Sequence, residues 1–128
     1  MNLFLYMPSH PEMRERVMSA VAPLVNRGSI ELFEGVPGLV DRLRKLKESL
    51  SVAIVWAPSR EDLRILYANR PFLDQTKLLL VLPDQDEETL TLAHRVLPTF
   101  VTYVDSPLSD LVAVMKRLTE PRAMNMIH

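Results

Sequence analysis

A chain of 128 residues, 48% hydrophobic and 24% charged, has the size and balance of one folded domain with its own apolar core, which excludes a disordered or fibrous protein. Fifteen Lys and Arg against sixteen Asp and Glu leave a net charge of -1, which gives no general attraction to nucleic acid or to an anionic membrane surface. The absence of cysteine excludes disulfides, iron–sulfur ligation and thiolate catalysis.

The first run of strand length is Leu3 to Met7. It lacks a preceding basic region and is followed by Pro8 and Pro11, so it reads as neither a signal peptide nor a membrane span, and a cytoplasmic location is expected. Ser9-His10-Pro11-Glu12 fits a capping box that opens a helix carrying Met13, Val17, Ala20, Val21 and Leu24 at helical spacing. A shorter second run, Ser29 to Phe33, leads into a turn in which Gly35 and Gly38 flank Val36-Pro37. The next helix carries Leu39, Val40, Leu43 and Leu46, with Arg42, Arg44, Lys45 and Lys47 as a solvated basic face.

The third run, Val52 to Trp56, closes on Val-Trp-Ala-Pro-Ser-Arg-Glu-Asp. Pro58 stops that strand, Ser59 and Asp62 cap a helix, and Leu63, Leu66 and Tyr67 give it an apolar side. After the fourth run, Leu78 to Leu82, Asp84 and Glu87 are expected to cap a helix bearing Leu90, Ala93, Val96 and Leu97. The cluster from Asp84 to Glu88 reads as acids favoured by the helix dipole. The fifth run, Phe100 to Val104, precedes either Ser106-Pro107 or Ser109-Asp110 as the start of a last helix with Leu108, Leu111, Val112, Met115 and Leu118. Pro121 ends that helix, so residues 1–120 form one domain and 121–128 a tail whose apolar residues are expected to dock onto the domain or onto a second subunit.

The runs are apolar at consecutive positions, as strands are when helices cover both sheet faces. Five alternations of strand and helix predict an α/β, doubly wound, three-layer sandwich around a five-stranded parallel sheet.

The segments Leu78 to Ala93 and Thr99 to Leu118 resemble the fourth and fifth strand–helix pairs of response-regulator receiver domains. The resemblance implies strand order 2-1-3-4-5 with five helices, as in CheY-like and flavodoxin-like folds. Tyr103 stands where receivers carry a switch aromatic, and Pro107 where they carry a proline after the conserved lysine. Receivers transfer a phosphoryl group to an aspartate beside Mg²⁺, using carboxylates for the cation and a hydroxyl and an ammonium for the phosphoryl oxygens. Here the acid-pair position reads Met-Pro-Ser-His, the end of the third strand reads Ile54-Val55-Trp56-Ala57, Leu82 replaces the hydroxyl and Ser106 the lysine. The resemblance therefore implies a pseudo-receiver: a degenerate pocket of Pro8, Ser9, His10, Trp56, Leu82, Ser106 and Pro107, with no catalytic residue, metal or cofactor.

Strand order 2-1-3-4-5 reverses between the first and third strands, where ligands of open α/β sheets sit. His10, with Glu34 or Asp84, is a weak acid–base or metal constellation because no second histidine is brought near it. Trp56 is expected to plug the space left by the missing acids rather than to stack on a ligand, since the chain has no glycine-rich phosphate turn. Tyr103 is expected to pack statically, because without phosphorylation nothing drives a rotamer change.

Two functions follow as expectations. One is a non-enzymatic module of signalling or regulation that works through an unknown protein partner or a homodimer. Its surface would be the face of the fourth helix, fifth strand and fifth helix, with Arg95, Thr102, Tyr103, Lys116 and Arg117. The other is a flavodoxin-like domain binding a nucleotide or flavin in the crevice around His10 and Trp56. Contacts with nucleic acid or membrane are not expected.

Overall fold

The computed structural model describes residues 2–7, 11–25, 30–46 and 51–119. Five strands, β1 (Asn2–Tyr6), β2 (Ile30–Phe33), β3 (Ser51–Trp56), β4 (Thr76–Leu82) and β5 (Phe100–Tyr103), alternate with five helices. The helices are α1 (Pro11–Val21), α2 (Val36–Arg44), α3 (Arg60–Ala68), α4 (Glu87–Val96) and α5 (Leu108–Thr119). Short 3₁₀ turns follow α1 at Ala22–Leu24 and α3 at Arg70–Phe72. All strand pairs are parallel, in the order β2-β1-β3-β4-β5.

The consecutive apolar runs are explained by burial on both faces: all six residues of β3 are buried. Alternation of side chains across the sheet sorts the core into two clusters. Phe4, Tyr6, Ala53, Val55, Leu78, Leu80 and Leu82 meet α2, α3 and α4. Leu3, Leu5, Val52, Ile54, Trp56, Leu79 and Val81 meet α1 and α5. Ser51 and Thr76, the polar residues that open the two central strands, share a hydroxyl–hydroxyl hydrogen bond of 3.0 Å, so their burial leaves no orphaned group.

The helix ends agree with the sequence in part. Ser59 and Asp62 form the expected reciprocal capping box at α3. At α4 the expected cap is displaced. Asp86, not Asp84, holds the cap position, and Asp84 instead accepts the Asp86 backbone N–H at 2.9 Å. Asp84 thus forms a local turn one step ahead of the helix, because a short carboxylate reaches two residues onward more readily than it waits for a helix start. The last helix begins just after Ser106-Pro107, and Ser109 lies within it. The expected box of Ser9 and the tail 121–128 lie outside the described residues.

Among the described residues, two other than glycine have positive φ: Ala57, at 50°, directly after β3, and Leu97, at 57°, at the end of α4. Among the described residues, no helix is long and apolar enough to cross a membrane.

Candidate functional site at the carboxyl ends of the strands

The end of β3 carries Trp56, which is only 6% exposed and packs with Leu3, Leu5, Met7, Val17, Val81, Leu111 and Met115. Its indole faces the α1–α5 layer. Past it the chain turns at Ala57, whose N–H donates to the Val81 carbonyl at 2.7 Å, and Pro58 is buried before the cap Ser59. The expected plug is therefore seated in apolar core, with no ring face open to a stacked ligand.

Among the described residues of the degenerate pocket, Leu82 does not lie with that indole. Leu82 is fully buried in the opposite layer, among the residues facing α2, α3 and α4. Trp56 pairs in register with Val81, so Leu82, one position on, points to the other sheet face. Grouping Trp56 and Leu82 in one pocket is corrected on that ground. Ser106 is half-buried in a turn, its N–H donating to the Tyr103 carbonyl at 2.9 Å, and Pro107 is exposed. Pro8, Ser9 and His10 lie outside the described residues.

Near the strand ends, Glu34 after β2 and Asp105 after β5 are exposed, whereas Asp62, Asp84 and Asp86 have internal partners. The Tyr6 phenol, at the end of β1, donates to Asp62 Oδ2 at 3.0 Å, the same oxygen that accepts the Ser59 N–H at 3.1 Å. Burial first, and then the hydrogen bond and charge of Asp62, push the Tyr6 hydroxyl up to about 12. Tyr6 is thus a neutral donor that ties β1 to the start of α3.

A second network crosses from α3 to α4. Arg60 reaches Asp86 at 3.2 Å, Glu88 at 3.1 Å and the buried Thr89 hydroxyl at 3.5 Å, and Arg64 reaches the other Glu88 oxygen at 3.3 Å. The Asp84 carboxyl is held below its usual range, first by the Asp86 N–H and then by the Thr89 hydroxyl, with Arg60 adding a smaller attraction. The acids read as a solvated helix start therefore also clamp α4 to α3. Among the described residues, no group of three His, Cys, Asp or Glu is placed to hold a metal ion.

The basic stretch of α2 is likewise partly engaged. Arg42 makes a two-bond pair with Glu31 on β2, at 2.9 and 3.0 Å, and lies over the Phe4 ring, while Arg44 lies over Phe72. The Arg42 guanidinium is raised above its usual range mainly by the Glu31 hydrogen bonds. Two of the four residues expected to form a free solvated face therefore stack on aromatic rings and one of these also pairs with a strand acid. Lys45 is exposed and pairs with Asp41, and Lys47 lies outside the described residues.

On the candidate interface, Arg95, Lys116 and Arg117 are exposed and Tyr103 is half-buried against the α4-side core. Thr102 is only 7% exposed and is corrected as a surface residue. Successive strand side chains face opposite layers, and Thr102 alternates with Phe100 and Val104 toward α5.

Comparison with solved structures places this architecture. A CheY-like response-regulator receiver domain from Methanospirillum hungatei superposes with a TM-score of 0.69 at 10% identity, covering 98% of each chain. A response regulator from Burkholderia multivorans gives a TM-score of 0.67 at 15% identity over 94% of this chain and 97% of that one. The pilus assembly protein CpaE from Caulobacter crescentus gives a TM-score of 0.61 at 15% identity over 91% of this chain and 92% of that one. No protein-family model and no curated protein matches the sequence. The chain has the CheY-like receiver fold, with which its strand order agrees.

Proposed function

We propose that this receiver-fold domain acts in signalling or regulation through protein–protein contacts, takes up no phosphoryl group and catalyses no reaction. The observation that carries this reading is Trp56. A buried indole in the apolar core occupies the end of β3, where the resemblance to receivers calls for a carboxylate. An indole N–H is a single neutral donor and supplies neither a nucleophile nor a ligand for a hard cation. Four carboxylates at the starts of α3 and α4 support the same reading, because Asp62, Asp84, Asp86 and Glu88 are each held by hydrogen-bond donors of the domain.

The reading based on a nucleotide or flavin loses its main support once Trp56 is packed inward, since stacking needs an accessible ring face. The partner surface proposed is the outer face of α4, β5 and α5. It offers the half-buried Tyr103 as an anchor, with exposed Arg95, Lys116 and Arg117 around it, and suits an acidic protein face or a second copy bearing one.

Intact-mass measurement after incubation with a small phosphodonor and Mg²⁺ tests the reading. An unchanged mass is expected; a stable increment of one phosphoryl group overturns it.

A further inference from the structure

The amino ends of β4 and β5, at the opposite end of the sheet from Trp56, border a small cleft. It lies between the α3–β4 and α4–β5 connections, has a volume of about 160 Å³, and its lining includes Arg70, Leu73, Asp74, Leu78, Leu97 and Thr99. At ~30 Å³ per water this is room for about five waters. Nucleotides, flavins and peptide segments need clefts of ~300 Å³ and more, so only a small molecule fits.

The register of the sheet leaves an open donor there. β5 joins β4 from the pair Leu79 and Phe100 onward, and just below it the Thr99 N–H donates to the Leu78 carbonyl at 2.8 Å. The N–H and C=O of one strand residue face the same neighbour, so the Leu78 N–H also points toward the β5 side. A parallel ladder calls for the Leu97 carbonyl as its acceptor, but Leu97 has left-handed backbone, with φ 57°. Among the described residues the Leu78 N–H has no acceptor. Leu78 is 3% exposed and lines the cleft, and a buried amide left without an acceptor is costly.

The same lining supplies a cation. Arg70 is half-buried and pairs with no acid among the described residues. Alternation along β4 turns the Lys77 side chain to the sheet face opposite Leu78, so Arg70 is the cation of this cleft. Two donors, one of them charged, select an anion. Asp74 and the carbonyl end of α4 border the same space and oppose a second negative charge. We propose that this cleft binds a small aliphatic monocarboxylate. Its oxygens accept from the Arg70 guanidinium and the Leu78 N–H, and its short chain meets Leu73, Val96 and Leu97. The strained backbone of Leu97 belongs to the site, because it keeps the Leu97 carbonyl away from the Leu78 N–H.

Titration of the ¹⁵N-labelled chain with propionate at constant ionic strength, followed by NMR, tests the proposal. The Leu78 amide proton is expected to move downfield along a saturable curve while the Ala57 amide, at the other end of the sheet, stays in place. Arg70→Gln is expected to weaken that binding about tenfold or more, the scale of a charge-assisted hydrogen bond. Inorganic phosphate, largely a dianion above neutrality, is expected to bind at least tenfold more weakly than propionate. A response at Leu78 that does not saturate, or equal affinity in Arg70→Gln, overturns the proposal. Tighter binding of phosphate than of propionate overturns the carboxylate assignment. The titration of the parent chain decides the matter by itself where the variant fails to fold.

Discussion

Tyr6 and Asp62 are 56 positions apart in sequence, and the phenol of one donates at 3.0 Å to the capping carboxylate of the other. This single contact fixes the end of β1 to the start of α3, across the point where the strand order reverses. Tyr6→Phe should cost about 0.5–1.5 kcal/mol, the net worth of one hydrogen bond, measured by urea unfolding. The pH dependence follows from the raised phenol. An unfolded tyrosine titrates at 10.0 and the folded one at about 12, so the contribution is complete below pH 10 and is lost as pH rises toward 12. Tyr6→Phe should remove that part of the alkaline destabilisation; an identical alkaline profile in the variant would contradict the assignment.

The clamp between α3 and α4 is electrostatic and exposed, so its strength should depend on salt. Arg60→Gln removes contacts to Asp86, Glu88 and Thr89 together. A loss of about 1 kcal/mol is expected at low ionic strength, since exposed pairs contribute ~0.2–1 kcal/mol each. The difference should shrink in ~1 M salt, where screening acts within about 3 Å. A loss independent of salt would place the role of Arg60 in packing.

Leu97 ends α4 in the left-handed region with an exposed side chain, where a Cβ is strained and little apolar burial compensates. Leu97→Gly should therefore stabilise the domain by about 0.5–1 kcal/mol, the reverse of the usual effect of glycine. Thermal unfolding checks the sign.

If α4, β5 and α5 form a contact face between copies, the weight-average mass by light scattering should rise between a dilute and a concentrated sample. Tyr103→Arg combined with Arg117→Glu should abolish that rise. Concentration-independent monomer behaviour in the parent chain would exclude the homodimer and leave a different protein as the partner.

The fold was legible because parallel strands buried on both faces write themselves as continuous apolar runs, and the runs at Val52 and Phe100 match observed strands to within one residue at each end. The capping box of Ser59 and Asp62 was legible because its partners are three residues apart. The Tyr6–Asp62 bond, the Arg60 clamp and the Arg42–Glu31 pair were not, because each depends on which strand or helix lies beside another. Thr102 and Tyr103 are neighbours on one strand and must face opposite layers, and the same alternation, given the β3–β4 register, separates Trp56 from Leu82.

The account turns on a closed, apolar end of β3, and Trp56, the sole tryptophan, reports on it directly. Its fluorescence should be blue-shifted and weakly quenched by acrylamide, and it should be unmoved by Mg²⁺ with a fluoroberyllate analogue of the phosphoryl group, or by nucleotides and flavins. Ready quenching, or a saturable change with any of these ligands, would contradict it.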